Sequence, residues 1–321
     1  MKIAILGTGA LGIALAKALK ETKSELEITM WTKFEEERDL VKTTRANEKL
    51  LPNVYLPENI EITSDLSSAI TDSQIILNCL PFIAVESVAH ELKRVYTNQF
   101  ICSTTKGIDM TTFETTTEIF NRVLNTDKVA ALSGPSFAKE IANGDPISFV
   151  LASKNEETKE VIYDLLKSDN ISMEKSVDEI GTQLCGAVKN AVAIGSGILY
   201  GMNAADSTKA AYLARGMKDM AIVISSLGGE EKTISTYAGV GDLILTCTSE
   251  TSRNFSCGKL LGQGNNLKEA VEKLNGKTVE GIKIIESLNN YMKEKDLELD
   301  TIPKLYDIVF NSKDINSLLR I

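Results

Sequence analysis

The sequence contains one histidine, His90, and its five cysteines form no Cys-x-x-Cys pair. One histidine and scattered thiols cannot supply the ligand cluster of a zinc site, so we expect catalysis without a metal. An odd number of cysteines with no pairing pattern is typical of reduced thiols in a cytosol. The sequence therefore predicts a cytoplasmic protein whose chemistry is performed by other side chains.

Positive charge is also scarce. Lysine and arginine total 35 against 44 aspartates and glutamates, which gives a formal net charge of -9. Binding through a nucleic-acid backbone needs a basic face, so we expect no nucleic-acid partner. An acidic protein binds a phosphorylated metabolite through a local group of cationic side chains. If the ligand is a phosphorylated metabolite, we therefore expect a few lysine or arginine side chains to be gathered at its site.

Long apolar runs are missing. No uncharged stretch approaches the roughly 18 residues of a membrane-spanning helix, so we expect no membrane span. The first apolar run, residues 3–6, is too short for a signal peptide, so we expect no export. A hydrophobic fraction of 43% and a charged fraction of 25% are typical of a chain that is folded throughout.

The 321 residues suit two domains. Short β-branched runs alternate with helical patterns as far as about Ser176, and only helical patterns follow Asp178. We therefore predict a doubly wound, Rossmann-type α/β domain over 1–178, with a parallel sheet covered on both faces, and an all-helical domain over 179–321. The predicted strands are 3–6, 28–31, 75–80, 100–104, 129–132 and 147–152, and the predicted helices include 10–20, 83–95, 156–166, 182–200 and 205–227.

A glycine-rich turn, Gly-Thr-Gly-Ala-Leu-Gly, joins the first strand to the first helix through Gly7, Gly9 and Gly12. In this context the first glycine makes a tight turn, the second lets the backbone approach a pyrophosphate, and the third packs the helix on the strand. Glycine turns also arise for packing reasons alone. The strand-turn-helix context favours an NAD(P) site, with the pyrophosphate on the helix N-terminus.

The choice between NAD and NADP is left open by the second strand. An NAD-selective site usually has an acidic residue about 20 positions past the glycines. Here the strand ends in Met30-Trp31-Thr32-Lys33. The missing carboxylate and the nearby Lys33 slightly favour NADP. Against this, three glutamates follow at 35–37 and could repel a 2'-phosphate, and Lys33 fits a solvated surface lysine equally well.

Oxidising an alcohol by hydride transfer needs a base for the hydroxyl proton. His90 lies in a predicted helix far from the other motifs, where an exposed histidine is ordinary. Lys189 stands among small apolar residues, so we predict that it is the proton acceptor and does not merely extend to solvent. Its pKa would need lowering from about 10.4 by burial or a second cation. Lys106, after the strand 100–104, could be that cation or a plain loop residue.

Arg253 is flanked by Ser252 and Asn254, so three consecutive side chains could donate to one phosphate. The alternative is a helix-capping serine beside a surface arginine. Asp242 could orient the Lys189 ammonium, accept from a substrate hydroxyl, or simply occupy a turn. Cys257 fits a small buried residue better than a reactive thiol.

Four further segments complete the pattern: Ser-Thr-Thr-Lys-Gly at 103–107, Leu-Ser-Gly-Pro-Ser-Phe-Ala at 132–138, Val-Lys-Asn-Ala at 188–191, and 239–254. Together with the glycine turn, these resemble the bacterial-type cytosolic NAD(P)-dependent glycerol-3-phosphate dehydrogenases, from residue 3 to about residue 285. The resemblance implies interconversion of sn-glycerol 3-phosphate and dihydroxyacetone phosphate, supply of glycerol 3-phosphate for phospholipid synthesis, and a homodimer.

The resemblance also implies roles for individual residues, with Lys189 as the catalytic proton acceptor and a substrate ligand. Leu11 replaces the family's usual aromatic and leaves that contact to the backbone, and Asp219 is interpreted as a tolerated surface change. The other implied substrate ligands are Lys106, Gly134, Ser136, Asp242, Ser252, Arg253 and Asn254. The implied cofactor contacts are Gly7, Gly9, Ala10, Leu11, Gly12, Lys33, Lys106, Ala138, Arg253, Thr278 and Glu280.

Two other functions fit the same fold. A dehydrogenase of hydroxy acids or sugar acids would lack the Ser-Arg-Asn run at 252–254. A non-catalytic sensor of the cofactor's redox state would not need Lys106 and Lys189, because sensing requires no proton acceptor. Both features are present, so we favour the phosphorylated substrate.

Overall fold

The computed structural model describes residues 1–274 and 279–319, and Thr278, a predicted cofactor contact, lies outside the described residues. The chain divides into two compact units. The first comprises Met1–Gly107 and Glu114–Glu179, and the second comprises Ile108–Phe113 and Ile180–Ile321. A short segment from the N-terminal half thus belongs to the second unit.

An eight-stranded sheet forms the centre of the first unit, within residues 1–274. The six predicted strands are confirmed to within two residues at each end, and two strands were missed. The strand at 61–63 has only three residues, and the strand at 171–176 alternates between half-buried and exposed positions, so neither forms an apolar run. The strands are β1 (Lys2–Leu6), β2 (Glu27–Trp31), β3 (Glu61–Thr63), β4 (Ile75–Asn78), β5 (Phe100–Ser103), β6 (Val129–Ser133), β7 (Ile147–Ala152) and β8 (Ile171–Ser176).

The strand order is β3-β2-β1-β4-β5-β6-β7-β8, so the direction of winding reverses between β1 and β4. Ile3 and Ile5 pack in a core on one face of the sheet, and Ala4 and Leu6 pack in a second core on the other. Both faces are covered by helices, which confirms the doubly wound α/β class. The helices of this unit are α1 (Ala10–Thr22), α2 (Glu35–Thr44), α3 (Leu66–Ile70), α4 (Phe82–Leu92), α5 (Thr116–Leu124), α6 (Ala138–Asn143) and α7 (Glu156–Leu166).

The sheet is mainly parallel, as predicted, with one antiparallel pair, because β7 runs antiparallel to β6. The connecting helix α6 has six residues and spans about 9 Å. Residues 134–146 connect the two strands through this short helix, and the chain re-enters the sheet in the opposite direction. Strand β8 then pairs parallel to β7.

The second unit is helical, as predicted for the C-terminal part of the chain. Its longest helix is followed by a second long helix and by shorter ones, with a 3₁₀ turn at Glu231–Ser235, a π turn at Tyr237–Gly241 and a 3₁₀ turn at Ile315–Leu319. The helices are α8 (Glu179–Gly201), α9 (Asp206–Ser226), α10 (Asp242–Thr248), α11 (Arg253–Gly262), α12 (Leu267–Lys273), α13 (Glu280–Lys295) and α14 (Thr301–Asn311).

Helix α8 is an exception to the expectation that no segment could cross a membrane. By length and composition alone it could do so, with a mean hydropathy of 1.2 over its most apolar window. In the folded chain 89% of that window is buried. Core helices of soluble proteins show the same pattern.

Asp219 is buried, which corrects its interpretation as a surface residue. Its carboxylate accepts hydrogen bonds from the backbone N–H groups of Asp300 and Thr301 at 2.9 and 2.7 Å, and from the Thr301 hydroxyl at 2.6 Å. These donors lie at the start of α14, where amide groups lack partners within the helix. Asp219 therefore caps α14 from the neighbouring helix α9, a role that adjacent sequence cannot reveal.

Candidate active site

Two positions of the glycine turn require glycine, one because of its backbone conformation and one because of the space available. Gly7 has φ +112°, and its N–H donates to the Trp31 carbonyl at 2.7 Å. A Cβ on Gly12 would lie 2.1 Å from the Gly7 carbonyl oxygen. The tight turn and the close packing of α1 on β1 thus both depend on glycine, as the sequence pattern indicated.

Gly9 has a different role from its neighbours. It precedes α1 with extended backbone, and a Cβ there would meet no atom of the described residues within 4 Å. The adjacent Thr8 side chain is buried, and its hydroxyl has no hydrogen-bond partner among the described residues. Ala10 and Leu11 begin the helix and are half-buried. The amide groups at this end of α1, beside open space, fit a pyrophosphate.

Lys106 and Gly134 follow the carboxyl ends of the neighbouring parallel strands β5 and β6. The Lys106 ammonium donates to the Gly134 carbonyl at 2.9 Å. A Cβ on Gly134 would lie 2.5 Å from the Ser148 carbonyl, so the position must be glycine. The Ser136 hydroxyl lies 3.5 Å from the Gly134 carbonyl, and Ala138 begins α6, which packs against α1. These predicted residues share the sheet edge that carries the glycine turn.

Asn78, which the sequence analysis missed, supports this edge from β4. Its side chain is fully buried, and its amide donates to the Ser103 and Thr105 hydroxyls at 3.1 and 2.9 Å. These bonds fix the backbone that leads into Lys106. A buried asparagine at the end of an apolar strand was the available signal.

Lys33 is exposed at the end of β2 and forms an ion pair with Glu91 at 2.7 Å. Both side chains are solvent-accessible, so the pair contributes little to stability. His90, beside Glu91 on α4, is exposed, which confirms its interpretation as an ordinary helix histidine. It plays no part in the clusters described here.

Lys189 is buried in α8, with 4% of its surface exposed. Its Nζ lies 2.5 Å from Asp242 Oδ1 and donates to the Thr246 hydroxyl at 2.8 Å. Of the roles considered for Asp242, the structure shows the one in which it orients the ammonium. The Asp242 carboxylate beside Nζ stabilises an ammonium there. Thr246 was missed, although it lies one helical turn beyond Asp242 on α10.

The Ser-Arg-Asn run lies at the start of α11. The Ser252 hydroxyl caps the helix by accepting from the Phe255 N–H at 3.3 Å. The Asn254 side chain accepts from the Gly281 N–H at 2.9 Å, and Arg253 is exposed. In both contacts the side-chain oxygen is the acceptor, so neither contact uses the donor groups of Ser252 and Asn254. A phosphate site shared by the three side chains stays a prediction. Arg253 stands at the positive end of the α11 dipole.

Close backbone contacts hold α11 against α8. A Cβ on Gly197 would lie 2.1 Å from the Phe255 carbonyl, and one on Gly258 would lie 1.9 Å from the Ile194 carbonyl. Glycine on both helices therefore permits a crossing that larger residues would prevent. A Cβ on Gly281, in the first turn of α13, would lie 2.4 Å from the Asn190 carbonyl. The exposed Glu280, which precedes Gly281, therefore lies near Asn190, the residue that follows Lys189.

Two buried cysteines lie near these helices. Burial raises the pKa of the Cys257 thiol to about 11, so the reactive thiolate is scarce near neutral pH. Burial also raises the pKa of the Cys247 thiol, beside the Lys189 and Asp242 charges. Cys257 is therefore the small buried residue that the sequence favoured.

The glycine turn at the reversal point of a doubly wound sheet, together with a buried lysine beside a carboxylate, defines a nicotinamide-dependent oxidoreductase. Residues 2–159 match the family described as NAD-dependent glycerol-3-phosphate dehydrogenase N-terminus. Residues 178–320 match the C-terminal part of the same family. The chain belongs to the NAD-dependent glycerol-3-phosphate dehydrogenase family.

Individual relatives agree with this assignment. The chain is 36% identical over 317 residues to a glycerol-3-phosphate dehydrogenase [NAD(P)+] of Fusobacterium nucleatum, covering 98% of this chain and 94% of the relative. A protein of the same name from Thermoanaerobacter is 36% identical over 315 residues, with 98% and 94% coverage. The crystal structure of glycerol-3-phosphate dehydrogenase from Coxiella burnetii is 30% identical, with a TM-score of 0.90 and coverage of 99% and 97%.

The geometry of the glycine turn predicts different effects for two similar substitutions. Gly12→Ala should destabilise the protein by about 1–3 kcal/mol, because its Cβ clashes with the Gly7 carbonyl. Gly9→Ala should cost less than about 1 kcal/mol, because its Cβ enters open space. It should nevertheless weaken NADH binding at least about tenfold by occupying the approach of the pyrophosphate. Thermal unfolding and calorimetric titration with NADH measure the two effects, and normal NADH affinity in Gly9→Ala would contradict the assignment.

Proposed function

We propose that this protein interconverts dihydroxyacetone phosphate and sn-glycerol 3-phosphate by hydride transfer with NAD(P)H. The observation that carries the proposal is the buried cluster of Lys189, Asp242 and Thr246. Residues 1–178 form the dinucleotide-binding domain, and residues 179–321 form the substrate and catalytic domain. When bound, the nicotinamide supplies or accepts the hydride.

Lys189 handles the proton of the reacting oxygen. In the reductive direction its ammonium donates a proton to the oxygen of the ketone as that oxygen becomes a hydroxyl. In the oxidative direction its neutral amine accepts the hydroxyl proton. Asp242 and Thr246 hold Nζ in one position, and the Asp242 charge stabilises the ammonium whenever Nζ is protonated.

The substrate phosphate is bound at the start of α11. Arg253 supplies a planar guanidinium there, and the helix start supplies backbone amide groups and the positive end of its dipole. Ser252 and Asn254 contribute mainly by fixing the helix start, through the contacts already described. Lys106, Gly134 and Ser136 are proposed as further substrate ligands.

The cofactor contacts are proposed from the geometry of the glycine turn and from the family pattern. The amide groups after Gly9 would hold the pyrophosphate. The proposed contacts are Gly7, Gly9, Ala10, Leu11, Gly12, Lys33, Lys106, Ala138, Arg253, Thr278 and Glu280.

The cellular setting follows from the same assignment. All five cysteines are free thiols, which supports a reducing cytoplasm. There the product, glycerol 3-phosphate, supplies phospholipid synthesis. We also propose a homodimer, since twofold dimers are the commonest assembly of soluble proteins, and light scattering would distinguish it from the 35.0 kDa monomer.

A direct assay tests the function. The protein should oxidise NADH or NADPH when dihydroxyacetone phosphate is added, as followed by absorbance of the reduced nicotinamide. Dihydroxyacetone without its phosphate should react far more slowly, because the Arg253 contact is lost. Equal rates with the two ketones would contradict the phosphate site, and no turnover with either would contradict the proposed reaction.

Removing the proposed proton acceptor should abolish turnover without abolishing nucleotide binding. Lys189→Met should lower kcat by at least about 100-fold, the usual contribution of a positioned acid or base. NADH affinity, measured by calorimetry, should change little because Lys189 acts on the substrate. Near-normal turnover would remove Lys189 from the mechanism.

Two further variants separate catalysis from folding. Lys189→Met alone leaves the Asp242 carboxylate buried without this ammonium, which costs about 3–5 kcal/mol of stability. Lys189→Met combined with Asp242→Asn removes both charges and should restore stability but not activity. Lys159 is a matched control, because it is also buried and ion-paired, with Glu156 at 2.7 Å. Lys159→Met should keep kcat near the wild-type value.

Arg253→Ala should weaken the phosphorylated substrate far more than it disturbs folding. Losing a charge-assisted contact to phosphate should cost about 2–5 kcal/mol in kcat/KM, whereas an exposed arginine contributes under about 0.5 kcal/mol to stability. Arg253→Lys should recover part of the loss, because an ammonium lacks the planar fork. Lys259→Ala, on the same helix and with the same change in charge, is the control. If Arg253→Ala keeps its preference for the phosphorylated ketone, the phosphate binds elsewhere.

A further inference from the structure

A carboxylate lies at the end of β2, where the sequence has none. Thr32 follows the strand directly and is buried, and its hydroxyl donates to Glu37 Oε2 at 2.6 Å. Glu37 belongs to the first turn of α2, and its side chain reaches back to the strand end. Of the three glutamates at 35–37 that the sequence offered against a 2'-phosphate, Glu37 is the one with a hydrogen bond to the strand end.

A second contact ties this carboxylate to the glycine turn. Asn47 is buried, and its side-chain amide lies 3.2 Å from Glu37 Oε1 and 3.2 Å from the Thr8 carbonyl oxygen. Asn47 therefore bridges α2 and the loop between Gly7 and Gly9. Glu37 is held from two sides between the end of β2 and the glycine turn.

This position has a chemical consequence for the adenosine end of a dinucleotide. In doubly wound nucleotide-binding domains, the ribose 2'-hydroxyl of NAD contacts an acidic residue at the end of the second strand. A carboxylate accepts a strong hydrogen bond from a hydroxyl. It repels the 2'-phosphate that distinguishes NADP, because like charges brought together reject the wrong ligand.

The cations nearest this strand end are themselves paired with carboxylates. Lys33 lies 2.7 Å from Glu91, and Arg38 lies 2.8 Å from Asp39 and donates to the Ser64 hydroxyl at 2.9 Å. Glu37, in contrast, contacts a hydroxyl and an amide. The balance of charge beside Thr8 and Thr32 is therefore acidic.

We propose that Glu37 determines cofactor specificity and makes NADH the preferred reductant over NADPH. The proposal rests on the proposed function only in requiring that the glycine turn bind a nicotinamide dinucleotide. The slight preference for NADP was inferred from the absence of a carboxylate at the end of β2. That inference no longer holds, because Glu37 of α2 supplies the carboxylate.

The first test compares kcat/KM for NADH and NADPH in the reduction of dihydroxyacetone phosphate. The wild type should prefer NADH, and Glu37→Gln should lower the NADH-to-NADPH ratio at least about tenfold, a free-energy change of about 1.4 kcal/mol. Glutamine can still accept from Thr32, so the fold should be retained. Glu36→Gln makes the same charge change on the exposed side of the same turn and should alter the ratio less than about twofold.

The second test measures binding without turnover. Calorimetric titration with adenosine 2',5'-bisphosphate and with adenosine 5'-monophosphate isolates the effect of the 2'-phosphate. Glu37→Gln should bind the bisphosphate at least about tenfold more tightly than the wild type does, with little change for the monophosphate. Lys33→Gln tests the opposite assignment, in which the lysine attracts the 2'-phosphate. A loss of bisphosphate affinity in Lys33→Gln, with no gain in Glu37→Gln, would overturn the role of Glu37.

The outcomes distinguish this proposal from the proposed reaction. A wild type that prefers NADPH, or a Glu37→Gln variant with an unchanged ratio and unchanged bisphosphate affinity, would overturn the role of Glu37. If dihydroxyacetone phosphate is not reduced but bisphosphate affinity still rises in Glu37→Gln, the reaction is wrong and the specificity assignment stands. Binding of neither adenosine nucleotide nor NADH would overturn both.

Discussion

The ion pair between Lys189 and Asp242 is the interaction on which the second unit depends. Both side chains are at least 95% buried, and their charged atoms lie 2.5 Å apart. Removing two charges from water is costly, and a well-packed apolar pair of similar volume is often as stable or more so. Stability alone does not account for a buried pair here, whereas the proposed proton transfer at a fixed Nζ would. The pair also fixes α10 against α8.

Backbone packing extends this constraint to the start of α11, where the substrate phosphate is proposed to bind. The Gly197 and Gly258 contacts bring α11 onto the helix that carries Lys189, and Asn254 joins the start of α11 to the start of α13. Helices that touch through their backbones have little freedom to shift. Arg253 therefore begins a helix whose position is set by packing, although its own side chain is exposed.

In the first unit, short loops from separate strands lie together at one edge of the sheet. Parallel strands β1, β4, β5 and β6 end side by side, so the residues after them become neighbours without any local signal in the sequence. Buried polar contacts then fix those loops, as Asn78 does for the loop before Lys106. Asn47 does the same between α2 and the glycine turn.

Features that depend on neighbours in the chain could be predicted from the order of residues. The glycine spacing, the apolar strands and the position of Lys189 among small apolar residues are local features. The structure shows the glycine turn, the buried strands and a buried Lys189. Tertiary structure alone decided that β7 reverses, that Asp219 caps α14, and that Glu37 returns to the end of β2. A hydrogen bond or ion pair between distant residues depends on the packing of whole elements, so residue spacing does not encode it.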